Sequence, residues 1–254
     1  MAKKTAENNR RAVIDDIRKK QRGAEKRRGA AILVVCVSVA VLIIAAAAYQ
    51  PIKDWYDQRQ FSGVDLSAIG APASACSAIT TQKADGNQQH EPTGTPITYT
   101  TTPPAFGPHW NEAGVAPVPM EKKFYLAAER PPLEALVHNL EHGYTEVWYD
   151  TTVAKNSSEM SQLKAMAAKF PGQSNMRYKM KVGAWLPTDH TSGAKTFPAG
   201  DHIAITHWSA GGNGQTDTTK QVGVFQYCKA PSGAALKSFM TQYPYTDSPE
   251  PLAM

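Results

Sequence analysis

Hydrophobic positions in this chain change their spacing sharply along its length. Residues 30–49 pass without a single charge and are dominated by Ala, Val, Ile and Leu. Twenty helical residues rise about 30 Å, the thickness of a bilayer's hydrocarbon core. No polar stripe interrupts the run, as one would on a buried soluble helix. The pattern predicts one transmembrane helix over 30–49. The run is longer than the apolar core of a cleaved leader and follows a long basic region, so an uncleaved anchor is expected. Residues 50–75 read as a stalk. Its first part carries Trp55 and Tyr56 among alternating charges, which suits an interfacial extension of the helix. Its second part, 62–75, is rich in small residues and reads as a linker.

From residue 76 to 254 the periods of two and of 3.6 alternate, separated by turn-rich connections. Strands are predicted over 94–101, 144–149, 179–186, 202–209 and 222–227. Helices are predicted over 133–141, 157–170 and 231–243, the first opened by Pro131-Pro132 and stopped by Gly143. Residues 102–118 hold too many prolines for helix or central strand and are expected to be ordered loop. Gly211-Gly212-Asn213-Gly214 reads as the turn between two strands. The fold class that follows is α+β, with a small mixed or antiparallel sheet and two or more helices behind one transmembrane helix. A domain of this length can bury one proper core.

Charge divides the chain the same way. Residues 1–29 hold eleven Lys and Arg against four acids, a net of +7, and the remaining sixteen bases and eighteen acids give −2. The basic excess lies in the tail, which places the N terminus in the cytoplasm and the domain outside. A nucleic-acid binder would carry its charge on the folded domain, so nucleic acid is not an expected partner. The tail itself reads as a topology signal beside lipid headgroups.

Three cysteines sort by compartment. Cys36 falls inside the apolar run, while Cys76 and Cys228 lie near the two ends of the exported part. An even pair in an oxidising compartment reads as a disulfide.

The candidate chemistry rests on histidine. Val137-His138-Asn139-Leu140-Glu141-His142-Gly143-Tyr144 sets two imidazoles four positions apart, aimed the same way on a helix. His109 sits in a second motif, Pro103-Pro104-Ala105-Phe106-Gly107-Pro108-His109-Trp110. If His109, His138 and His142 converge, they form a transition-metal site with room for an open position. Without thiolates, copper or zinc is the expected ion. Methionines would bias the site toward Cu(I), and Met120, Met176, Met180 and Met254 are available. Glu141 is expected as an acceptor that orients an imidazole. The same histidines would also serve as hydrogen-bonding buttresses of a turn, or as acid–base groups. His138-Asn139-Leu140-Glu141-His142 fits the spacing of an inverted zinc hydrolase motif, but the prolines upstream and Gly143 leave only a turn or two of helix around it. His90, His190 and His202 read as surface residues; His207, beside Trp208, is a strand residue in a position to face the site from the sheet.

The two histidine motifs, a downstream Trp-rich strand and the Pro249-Glu250-Pro251 triplet together resemble the DUF3105 family of bacterial, notably actinobacterial, membrane-anchored proteins. The resemblance spans roughly residues 76–251. It implies this architecture and a histidine motif, with some association with copper handling, but no defined reaction. Ala105 and Phe106 stand where family members often carry Thr-Ser, so those hydroxyls have no role here. The expected function is metal binding, with copper homeostasis at the cell envelope foremost, and without catalysis. The alternatives are a structural accessory subunit docked on a membrane-protein complex, and a metal-dependent hydrolase.

Overall fold

The computed structural model describes residues 2–189, 191–193 and 195–253, with the side chains of residues 2–9 left aside. His190 and Met254, named above as surface residue and possible thioether, lie outside the described residues. The chain divides into two units, Met1–Asp57 and Gln58–Met254.

The first unit lies almost wholly within α1 (Ala2–Arg59), one continuous helix. A stretch of it is long and apolar enough to cross a membrane by length and composition. Its apolar side chains, from Ile32 to Ile44, are exposed. Water does not tolerate such a run of aliphatic surface, and a bilayer does.

The second unit is built on a five-stranded sheet. In chain order its elements are β1 (Thr80–Lys83), the two-residue strands β2 (His90–Glu91) and β3 (His109–Trp110), α2 (Leu133–Glu141), β4 (Thr145–Tyr149), α3 (Thr151–Ala154), α4 (Ser157–Ala167), β5 (Met180–Ala184), β6 (Ile203–Ser209), β7 (Val222–Cys228) and α5 (Gly233–Gln242). The sheet order is β1-β7-β6-β4-β5, while β2 and β3 pair with each other apart from it. Only β4 and β5 run parallel within the sheet, so it is mixed.

Alternation along the strands distributes two cores. Val147, Tyr149, Ile203 and Ile205 face one side and pack with Leu163, Met166, Leu236 and Phe239 of α4 and α5. Trp148, Ala204 and Trp208 face the other side and pack with Leu136 and Leu140 of α2 and with Phe106 of the proline-rich loop. Every residue of β4 is buried because both faces are covered, the situation in which a strand loses its polar alternation. Cys76 and Cys228 are joined as a disulfide, with Cα atoms 3.9 Å apart.

Two expectations need correction. Residues 62–75 are not a linker. Ile69 is fully buried, its carbonyl accepts from Gly233 N at 2.9 Å, and Ala71 N donates to Pro231 O at 2.7 Å. The small residues there permit close packing against the start of α5. Residues 94–101 do not form a strand either; only Tyr99 makes an isolated bridge, to Thr191. Their alternation is real, since Ile97 and Tyr99 are buried, but that face packs in the α2 core instead of pairing in the sheet. In the other direction, β1 escaped notice because Thr80–Lys83 is exposed throughout and has no apolar face to betray it.

Candidate metal centre

Everything at the site depends on how α2 ends. Gly143 adopts φ +89°, a conformation that costs other residues about 1–2 kcal/mol. Gly143 N donates to Leu140 O at 3.0 Å and Tyr144 N to Asn139 O at 3.1 Å, the paired bonds of a glycine-terminated helix end. The helix therefore stops immediately after Glu141 and leaves His142 as its cap. His138 and Glu141, three apart, occupy one face. The Asn139 side chain clamps the proline-rich loop onto α2, accepting from Val118 N and donating to Val118 O, both at 2.9 Å.

The second component is the short parallel pair β2–β3, whose register sets His90 beside His109 and Glu91 beside Trp110. His138 Nδ1 donates to Trp110 O at 2.6 Å and ties α2 to this pair. The rings of His90, His109 and His138 gather with centroids 4.6–5.3 Å apart. One ligand atom from each of His90, His109, His138 and Glu141 lies within 4.8 Å of every other. Three of these residues are buried, and His90 forms the open side.

Hydrogen bonds decide which atoms face inward. His109 Nδ1 lies 2.9 Å from Gly107 O, and a carbonyl only accepts, so Nδ1 carries a proton and Nε2 is the nitrogen turned toward the cluster. The same reasoning puts the His138 proton on Nδ1, toward Trp110 O, and its Nε2 accepts from His142 Nε2 at 3.0 Å. Glu141 Oε1 accepts from Gln88 Nε2 at 2.6 Å, Gln88 Oε1 from Gln221 Nε2 at 3.0 Å, and Gln221 Oε1 from Trp208 Nε1 at 3.1 Å. This relay runs from the sheet to the carboxylate and turns Oε2 toward the rings. There Oε2 lies 3.0 Å from His109 Nε2. Both residues are buried, and the contact helps keep the carboxylate ionised. A metal ion taking these two ligand atoms would replace the proton that joins them. His90 Nε2 lies 3.8 Å from the same Oε2, and Asn111 Nδ2 contacts His90 Nδ1 at 3.0 Å.

Electrostatics follow burial. The His138 imidazole is pulled down to about 4, chiefly by burial and then by the neighbouring imidazoles. For Glu141 burial is the largest influence and favours the acid, but the surrounding His109, Gln88 and His138 together hold the carboxyl below its ordinary value. Neutral imidazole and ionised carboxylate are the forms that ligate metal.

The expected residues are distributed differently from a simple three-histidine set. His109 and His138 converge. His142 stands one position further, with Nε2 3.0 Å from His138 Nε2 and 3.4 Å from Glu250 Oε2. Glu141 points a carboxylate oxygen into the cluster itself rather than acting only behind a ring. His90 reads as a surface residue and is half-exposed, yet it is part of the group. Its signal was absent from local pattern, because only the pairing with β3 brings it there. His207 faces away: its ring nitrogens contact Tyr144 O and Asp247 O at 3.0 and 2.8 Å, and complete burial lowers its pKa. Met180 is fully buried in the α4–α5 core, Met120 is also buried, and Met176 lies in a 3-10 turn before β5. His202 pairs with Asp150 at 2.8 Å on the far side of β6's start.

An α+β unit carrying a histidine–carboxylate cluster on a truncated helix is thus the class of protein at hand. The family described as "Protein of unknown function (DUF3105)" matches residues 90–253, and the chain belongs to it. That match begins at His90 and takes in every member of the cluster. No curated protein and no solved structure matches the chain.

Proposed function

We propose that this is a membrane-anchored, extracytoplasmic metal-binding protein that holds a divalent transition ion with His90, His109, His138 and Glu141. The observation that carries the reading is the convergence of one ligand atom from each of these four residues within 4.8 Å, three of the residues buried, with His109 Nε2 and Glu141 Oε2 3.0 Å apart. Spacings near 3 Å are those of two ligands about 2 Å from one ion. Three imidazoles and a carboxylate suit zinc or copper(II). The N-terminal charge excess supports a cytoplasmic tail, and the Cys76–Cys228 disulfide supports an oxidising location for the domain. Metal storage or transfer at the envelope, copper homeostasis foremost, accords with these features.

Hydrolysis is the weaker reading. Glu141 has one oxygen held by Gln88 and the other against His109, so its carboxylate is arranged as a ligand and not as a base poised over water.

Elemental analysis and titration of the full chain in detergent test the proposal. Zinc or copper(II) is expected to bind stoichiometrically. His90→Gln, a change on the open side, removes a direct ligand and is expected to weaken binding by about 100-fold or more, beyond the loss usual for a partner that only orients a ligand. A wild-type chain that binds neither ion contradicts the proposal.

A further inference from the structure

The residues left over from the first group form a second one. Ligand atoms of Glu141, His142 and Glu250 lie within 4.8 Å of one another, so Glu141 is common to both groups. We propose that these three residues hold a second, more exposed cation beside the first, making a paired site with Glu141 between its two halves. The inference rests on the metal reading given above.

Three observations support a built position. First, the C-terminal segment is fixed onto the end of α2, so Glu250 does not arrive there by chance. Glu250 N donates to Glu141 O at 3.0 Å. The buried Lys179 ammonium donates to His142 O, Pro251 O and Ala253 O at 2.7, 2.9 and 2.6 Å, stapling the segment to the helix end. A side chain at position 143 would run into the Tyr245 carbonyl and come within 2.8 Å of Ser248 Oγ, so the close approach itself depends on glycine.

Second, the geometry suits adjacent ions. His142 Nε2 lies 3.0 Å from His138 Nε2 and 3.4 Å from Glu250 Oε2. The 3.0 Å contact is a hydrogen bond that ties the imidazole of the first group to that of the second, and a metal at either position would replace its proton. Paired metal sites place their ions about 3.5–4 Å apart.

Third, the electrostatics are right. His142 caps α2 at its C-terminal end, where backbone carbonyls concentrate partial negative charge and favour a cation. Two carboxylates add to that field, with the His142 imidazole as the nitrogen ligand. The Glu250 side chain is 49% exposed, so this position opens to solvent and is the weaker, faster-exchanging of the two.

Zinc titration of the detergent-solubilised full chain, read by calorimetry and by elemental analysis after desalting, tests the pairing. Two equivalents are expected, the second at least 10-fold weaker. Glu250→Gln, a near-isosteric change at an exposed side chain, is expected to abolish the weaker equivalent and keep the tighter one. A single equivalent in the wild-type chain overturns the second position while leaving the first intact. Two equivalents unchanged in Glu250→Gln also overturn it. No bound zinc and no bound copper overturns both readings at once.

Discussion

Glu141 divides its two oxygens between different tasks, and that division defines the site. Oε1 is spent on Gln88 and Oε2 is turned toward His109. Its orientation is inherited from Gln88, Gln221 and Trp208, which are remote from it in sequence. Outer partners of this kind tune metal affinity by orienting the ligand. Gln88→Ala is therefore expected to lower zinc affinity about 10- to 100-fold without altering stoichiometry, as measured by competition with a chelating dye. Unchanged affinity would remove the relay from the account. His109, His138 and Glu141 were legible in the sequence because each sits in a compact motif whose composition is unusual for this chain. His90, Gln88 and Glu250 were not, because no local period marks them; a two-residue parallel pairing, a side-chain relay and the return of the C-terminal segment bring them in.

At the scale of elements, α2 carries the most information. Its start after two prolines, its stop at Gly143 and the strand that follows are local chemistry, and the sequence-based boundaries agree with Leu133–Glu141 and Thr145–Tyr149 to within a residue. Strands β4 to β7 were legible for a related reason, namely apolar side chains at strand period or in short continuous runs. Residues 94–101 show the limit of such reasoning, since alternation reports that one face is buried but not what buries it. The polar β1 shows the converse. Gly143 is the joint between the helix and the C-terminal segment, so Gly143→Ala should be costly on two counts, the positive φ and the collision with Tyr245 and Ser248. A loss of about 2 kcal/mol or more is expected from denaturant unfolding, accompanied by weaker metal binding. An unperturbed variant would mean that the segment packs elsewhere.

At the scale of the whole molecule, two units divide the labour. The helical unit concentrates the positive charge and the apolar span, and the α+β unit concentrates the histidines, the disulfide and both cores. Charge asymmetry and the uninterrupted apolar run made this partition readable from the chain alone. The depth of the second unit was less so: residues 58–75 belong to it, because small side chains admit close contact as readily as they make a flexible tether. The central claim is a nitrogen- and oxygen-ligated ion at the junction of α2 with β2 and β3. X-ray absorption at the zinc edge of the full chain, loaded with a single equivalent of zinc, tests it most directly. The account predicts a first shell of nitrogen and oxygen at about 2.0–2.1 Å, with outer-shell scattering from several imidazoles. A sulfur shell near 2.3 Å, or a spectrum without imidazole scattering, would contradict it.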